Sequence, residues 1–459
     1  MSEETNTMKR WQRRVLATVW ITYFMYYFCR YNMPVAKSSI CEAFDWTATD
    51  IGSVFSALLI MYAVGQFVNG QLGDRFGTRL ISTIGAFGSA VMNLLVFITV
   101  MVAPGTSISK TSLLTLLILF WGANGFLQAM GWSPMVRVMA HWFPIKGRGK
   151  VMGFMGTCYQ LGAAVGQLLA IFLVTNWVTK FGGDWRMVFL VPSILLAATG
   201  AFFFLSIRNR PEDVGLPPVD EPGASRPDKT PKASPGHKQR SIMENVKATL
   251  SNPYLWIVAM TFFLLDVNRY GFVNWLPAYV DATGVMGKAA DKSMLSKAMT
   301  ICIHPLAGSL GVIICGWATD RFFGGRRAPV IAVALGALGV FSILFTYVSA
   351  ANTPLLVGVV ALVGFFTYGA HILMVGHAAQ DFGHKQGAAG AAGFIDAMGY
   401  IGASLTGWGA GRLIDRFNAN DPAKLLGYRN TFMLAGICAL IGAALICVLW
   451  NMRPQSEHE

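Results

Sequence analysis

Charge is scarce in this sequence. Asp, Glu, Lys and Arg make up 13% of its 459 residues, about half the share of an ordinary soluble protein. The chain cannot clothe a large water-exposed surface, which excludes a soluble multidomain enzyme. Cysteine is sparse and scattered: seven residues, most within apolar runs, with no CxxC pair. Their spacing gives no disulfide or metal framework, and they read as small apolar packing residues. Period-two alternation is missing from the apolar runs, which excludes a membrane β-barrel. The glycine-rich segment Gly387–Gly393 lacks the strand context of a phosphate-binding loop. With no nucleophile–base pair either, no enzyme, cofactor or metal site is expected. The first apolar run is long, carries an arginine and lacks a small-residue cleavage site, so no cleavable signal peptide is expected.

What the sequence has in abundance is apolar length. It is 54% hydrophobic with a mean hydropathy of +0.50, and runs of roughly 20 residues, each enough to cross a bilayer as a helix, recur throughout. Their spacing predicts twelve membrane helices, near 15–38, 50–71, 79–103, 111–138, 149–177, 186–207, 253–281, 293–317, 328–349, 353–380, 386–412 and 430–451. The fold class expected is an all-α polytopic membrane protein. The net charge of +13 needs no nucleic acid, because basic residues gather at span ends and in one connector, as cytoplasmic loops require. Lys9, Arg10, Arg13 and Arg14 precede the first span. Arg75 and Arg79, then Lys146, Arg148 and Lys150, then Arg321, Arg326 and Arg327 mark further loops as cytoplasmic. Both termini are then cytoplasmic. The late loop with Arg412, Arg416, Lys424 and Arg429 runs against this count, but late charges orient weakly.

Residues Arg208–Lys247 carry seven prolines and many charges of both signs, a composition that cannot build a core. They divide the chain into a six-helix bundle over 1–207, a cytoplasmic linker over 208–252 and a second six-helix bundle over 253–459. The halves echo one another. Gly70-Gln71-Leu72-Gly73-Asp74-Arg75-Phe76-Gly77-Thr78-Arg79 follows the second span, and Gly316-Trp317-Ala318-Thr319-Asp320-Arg321 follows the eighth. Arg30 in the first span and Arg269 in the seventh each precede a tyrosine within an apolar run, at a nearly equal separation. An arginine near a bilayer midplane costs about 2.5–3.5 kcal/mol on insertion scales. One in each half suggests an anion that meets both. Two parallel repeats with a ligand at their interface is an architecture of secondary transporters.

The Gly-x-x-x-Asp-Arg loop and its echo resemble the signature of the major facilitator superfamily. Within it the chain is similar to the organophosphate:phosphate antiporter family, to which glycerol-3-phosphate and hexose-phosphate transporters belong. Four stretches carry this: Tyr26-Tyr27-Phe28-Cys29-Arg30, Gln128-Ala129-Met130-Gly131-Trp132-Ser133-Pro134, Arg210-Pro211-Glu212-Asp213-Val214-Gly215-Leu216, and Arg269-Tyr270-Gly271 with Asn274-Trp275. The resemblance covers essentially the whole chain. It implies exchange of an organic phosphate for inorganic phosphate; alternating access of the two halves about the site by a monomer is expected, and compactness with the absence of glycosylation features points to a bacterial inner membrane. The resemblance also implies that Arg30 and Arg269 carry the phosphate contacts, and that Tyr62, Tyr368, Tyr400 and Trp132 line the cavity. Members commonly place lysine where Gln66 and Tyr31 stand, some have histidine where Tyr159 stands, and an acid at position 266 departs from their pattern.

The residues themselves fit that expectation. A planar guanidinium gives a phosphate two parallel charge-assisted hydrogen bonds. Arg30 has no acid near it on its own helix, which leaves its charge for a ligand rather than a structural ion pair. Tyr23, Tyr27 and Arg30 share one helical face, and Gln66 lies one turn from Tyr62. Asp266 precedes Arg269 by three residues, on the same face, and Asp396 lies one turn before Tyr400. These two acids are open to three roles: neutralising Arg269, binding a cationic group on a zwitterionic substrate, or carrying a proton in a symporter. His371 shares a face with Tyr368 and His377 does not, while His304 precedes Pro305 and covers a kink. Asp74, Arg75, Arg79, Asp320 and Arg321 read as cytoplasmic gate residues. The runner-up within transport is a proton-coupled symporter of a zwitterionic or monoanionic phosphodiester or phosphonate, and a membrane sensor that binds a sugar phosphate without carrying it is the reading from another class.

Overall fold

In a computed structural model, residues 3–219, 250–283, 290–324, 326–349, 352–378 and 388–451 are described. Most of the connector, residues 220–249, and the side chains of Lys146, Arg148 and Lys150 lie outside the described residues. Within them, helices α1 (Glu3–Tyr26) and α2 (Phe28–Phe44) form a first, broken rod. It is followed by α3 (Ala48–Phe76), α4 (Thr78–Val102), a second broken rod of α5 (Lys110–Gln128) and α6 (Trp132–Trp142), α7 (Ile145–Val174) with the short α8 (Asn176–Phe181), and α9 (Met187–Ser206). After the connector come α10 (Pro253–Ala282), α11 (Ala290–Phe323), α12 (Arg327–Tyr347), α13 (Thr353–Ile372), α14 (Ala388–Asn418) and α15 (Leu426–Ile446). The described residues thus make twelve rods, the number expected.

Ten of the described helices are long and apolar enough to cross a membrane. The broken first rod and α14, which mixes Asp396 and hydroxyl residues with glycine and alanine, complete the twelve. Leu310, Ile313, Ile194 and Leu205 are exposed on the outside of the bundle, as a lipid-facing surface requires. The protein is a multi-pass membrane protein.

The first rod departs from the continuous span expected. It breaks at Tyr27, where the amide of Arg30 turns back to the Tyr27 carbonyl at 3.2 Å. That leaves the Tyr26 carbonyl without its helical partner, and a buried carbonyl needs one. Gln128 supplies it, donating Nε2 to Tyr26 O at 3.0 Å. Asn124 donates to Cys29 O at 2.9 Å, and Asn32 donates to Asn93 Oδ1 at 2.8 Å. Pro192 in α9 cannot use the Val188 carbonyl, and Asn32 takes it at 3.1 Å. A fully buried amide network thereby fixes the backbone on either side of Arg30.

The two sets of helices meet along the side of the bundle away from the connector, here the far end. There α3 and α14 form the most extensive helix pair in the molecule. Glycines permit the close approach: a Cβ at Gly52 would stand 2.4 Å from the carbonyl oxygen of Gly407. At the end of α14, Asp415 accepts from the amides of Ala48 and Thr49 at 2.9 and 2.7 Å, capping the first turn of α3 from the opposite half. Ser56 donates to Ser404 O at 2.6 Å. Lys37 of α2 donates to the Tyr428 hydroxyl at 2.9 Å and lies over the Trp275 ring. Ser38 donates to Asp281 at 2.7 Å, and Asp281 also pairs with Lys297.

Candidate functional site

Arg30 stands at the start of α2, where the break and its amide network hold the backbone. Its side chain is buried and crosses the seam between the halves. Nη2 donates to the Tyr270 hydroxyl at 2.8 Å and reaches the Tyr400 hydroxyl at 3.4 Å. Its guanidinium lies 4.3 Å from the centre of the Tyr62 ring and 5.7 Å from those of Tyr27 and Tyr400. Tyr62 and Tyr400 touch at 4.4 Å, and Gln66 donates to the Tyr62 hydroxyl at 3.2 Å. Arg30 is therefore ringed by tyrosine faces, which attract a desolvated cation. Its Nε is buried without a partner.

Arg269 occupies the middle of the continuous helix α10 and meets different chemistry. Nη1 donates to Nε2 of His371 at 2.9 Å and lies 3.5 Å from Oδ1 of Asp266. That ion pair is long, and neither carboxylate oxygen of Asp266 makes a hydrogen bond. The guanidinium sits 5.1 Å from the Tyr270 and Tyr368 ring centres. Its Nε is also buried and unpartnered. Tyr368 finds room because Gly308 of α11 has no side chain: a Cβ there would fall 2.2 Å from the tyrosine ring.

An aromatic wall continues from Arg30 into the first half. Tyr23 packs on Tyr27 at 5.6 Å and on Trp132 at 4.9 Å, and Tyr159 lies 6.2 Å from both Tyr27 and Trp132. The break between α5 and α6 brings Trp132 in. Gly131 at that break admits the Tyr23 ring, which a Cβ would meet at 3.0 Å.

Of the residues singled out from sequence, Arg30, Tyr23, Tyr27, Tyr62, Gln66, Trp132, Tyr159 and Tyr400 fall into one connected group, and Arg269, Asp266 and Tyr368 into an adjoining one. Asp396 lies one turn from Tyr400 toward the connector, within electrostatic reach of Asp266, Arg269 and Arg30. Sequence reasoning left Tyr270 out of the site, although it is the residue that joins the two arginines. The signal was its place beside Arg269, on the turn that faces the seam. His371 also belongs against Arg269, whereas His304 packs in parallel on Phe272 as a core residue. The side chain of His377 lies outside the described residues.

The suggested cytoplasmic gate residues are described only in part. Arg75 is exposed and lies beside the Phe76 ring, and Arg321 is exposed. Arg79 donates to the Phe204 carbonyl at 2.8 Å, within its own half. The side chains of Asp74 and Asp320 lie outside the described residues.

The sequence pattern described as Major Facilitator Superfamily matches residues 19–407 and, overlapping, 291–459. The glycerol-3-phosphate transporter of Bacillus subtilis (strain 168) is 31% identical over 455 residues, covering 98% of this chain and 95% of its own length. The membrane sensor protein UhpC of Salmonella typhimurium is 27% identical over 462 residues, covering 98% and 94%. Among solved structures, a bacterial homolog of the human lysosomal transporter Spinster superposes with a TM-score of 0.70 at 15% identity, covering 95% of this chain and 96% of that one. That likeness concerns the fold.

Proposed function

The chain belongs to the major facilitator superfamily, within its organophosphate:phosphate antiporter family, and from that membership we propose that it exchanges an organic phosphate of the glycerol-phosphate or sugar-phosphate type for inorganic phosphate. The observation that carries this is the approach of Arg30 and Arg269, one from each half, to Tyr270 at the seam, the first to its hydroxyl and the second to its ring. A phosphoryl group between them takes charge-assisted hydrogen bonds from both, including the unpartnered Nε atoms. The tyrosines then serve as hydroxyl donors and as a dry aromatic lining.

Exchange follows from the same geometry. The contacts at the far end hold the halves together on one side of the site. In our reading the helices before the connector and those after it move as two bodies about the site, with the connector and both termini at the cytoplasmic face of a bacterial inner membrane. A bound phosphoryl group bridges the arginines and lowers the barrier to rocking. The empty carrier keeps the Arg30 cation unanswered at the seam and reorients slowly, so net flux without a counter-substrate is small. Asp74, Arg75, Arg79, Asp320 and Arg321 belong to the connector end and are proposed to engage when that end closes.

The test is counterflow in proteoliposomes loaded with inorganic phosphate, with labelled phosphate outside and with or without a pH gradient. Saturable exchange that is independent of the gradient and lost in Arg30→Lys and Arg269→Lys is expected. Uptake that requires the gradient and no internal phosphate would replace exchange by proton symport. Ligand binding without flux would place the chain beside the sensor protein among its relatives.

A further inference from the structure

The mechanism just given uses both arginines and leaves two acids at the same level unused. Asp266 is fully buried, and neither of its oxygens makes a hydrogen bond. A buried carboxylate in that condition is costly unless something else meets it. Its Oδ1 leans toward Arg269 at 3.5 Å. Its Oδ2 points the other way, into α14: a Cβ at Gly399 would stand 2.8 Å from it. The Phe262 ring fills most of the space at Gly399, standing 2.3 Å from the same Cβ position, so Asp266 Oδ2 lies directly against the Gly399 turn of α14. Asp396 sits three residues before Gly399 and four before Tyr400, on the helical face that these residues share. It is only partly buried, while the outward face of α14 is taken by Ile401, Leu405 and Trp408. Asp396 is therefore placed on the α14 face that meets Asp266, within electrostatic reach of it and of both arginines.

The charge count sharpens the point. Two guanidinium groups and two acids share this level, so a phosphoryl group that takes both arginines leaves an excess of negative charge on the acids with nothing to meet it. A ligand with a positive group beside its phosphoryl group removes that excess and partners the carboxylates. We propose that, beyond the plain esters, the site prefers a zwitterionic phosphorus compound, an aminoalkyl phosphate or phosphonate. Its phosphoryl group lies between Arg30 and Arg269, and its ammonium lies between Asp266 and Asp396. In the empty site Asp266 leans on Arg269. When the phosphoryl group takes Arg269, Asp266 is freed to turn toward the ammonium. Tyr400, one turn from Asp396, and Tyr62 against it add aromatic faces beside the cation.

This inference rests on the reading of Arg30 and Arg269 as a phosphoryl site, and its test is built to fail separately from that reading. Equilibrium binding to the purified full-length protein is measured with 2-aminoethylphosphonate, with propylphosphonate, its near-isostere lacking the ammonium, and with O-phosphoethanolamine against ethyl phosphate. The amino member of each pair is expected to bind at least about tenfold more tightly, a modest value for a close charge pair. In Asp396→Asn and, separately, Asp266→Asn, the ratio is expected to fall to about twofold or less. Equal binding within both pairs in the wild-type protein would overturn the proposal, as would a preference that survives both substitutions. A preference confined to the phosphonate pair or the phosphate pair identifies which of the two is the natural class. Arg30→Lys tests the underlying reading: it should weaken both members of each pair together, and if it weakens neither, the phosphoryl site itself is wrong.

Discussion

Arg30 and Arg269 occupy matching places in two repeats, yet their surroundings differ in every respect that matters chemically. Arg30 begins a helix after a break, and Gln128, Asn124, Asn93 and Asn32 satisfy the backbone around it. Arg269 sits in an unbroken helix. Arg30 is bordered by tyrosines and, among the described residues, has no carboxylate in contact, so its charge is held ready for a ligand. Arg269 is bordered by Asp266 and His371, so part of its charge is already answered. Duplicated sequence therefore does not mean duplicated function. One repeat offers a free cation on a fixed backbone, and the other offers a cation that exchanges partners. Tyr270 belongs to both environments.

The comparison is strained most by conservative replacement of the arginines. Arg30→Lys keeps the charge but loses the planar fork. Phosphate exchange is expected to fall roughly 1,000-fold, about 4 kcal/mol, within the range for buried hydrogen-bonded charges. Arg269→Lys is expected to lose distinctly less, because Asp266 already offsets that cation. Equal losses in kcat/KM would remove the asymmetry.

Asp266→Asn tests the other side of it. It leaves Arg269 buried with His371 alone, and breaking a buried pair costs about 3 kcal/mol or more. The purified variant should melt at a lower temperature and recover part of the loss when inorganic phosphate is added. A melting temperature that does not move would show that the long 3.5 Å pair contributes nothing.

Tyr270→Phe removes the hydroxyl that receives Arg30 at 2.8 Å. A hydrogen bond to a charged group is worth about 2 kcal/mol, so substrate affinity should weaken by more than tenfold. Tyr62→Phe, which leaves the ring facing Arg30 intact, should cost much less. The reverse order would mean that the ring face and not the hydroxyl bridge governs Arg30.

The smallest effect expected is at the far end. Asp415→Ala removes the cap that α14 gives to α3, worth about 1 kcal/mol. Exposure of an engineered cysteine at the far end of the cavity to a membrane-impermeant thiol reagent should rise about fivefold. An unchanged rate would place the closure of the far end in the glycine-mediated α3–α14 packing instead.

Much of this was legible in the chain itself. The twelve rods follow from apolar length, and their grouping by sixes from the proline-rich connector. Arg30 and Arg269 stand out because a charge within an apolar run has no bland explanation. The tyrosines were harder to assign, since aromatic residues at helical spacing pack as often as they bind. Gln128 belonged to a motif, but nothing in the sequence says that its amide answers the carbonyl left free by a break at Tyr27. The break itself could not be read, because Tyr27 is an ordinary residue in a continuous apolar run. The motif loops carrying Arg75 and Arg321 were conspicuous in sequence, yet they lie away from the arginine site.

The sequence by itself determined the membrane class, the helix count and the two buried cations, because these rest on composition, length and local spacing, which are properties of the chain. Only the tertiary structure decided which groups share those cations. Tyr270 reaches Arg30 across 240 residues and Tyr400 across 370. The missing side chain of Gly399 lets Phe262 and Asp266 pack against α14, on the face that also carries Asp396. Such pairings depend on how helices from different halves pack, and in a buried seam the cost of an unanswered charge is set by what the neighbouring helix brings to it.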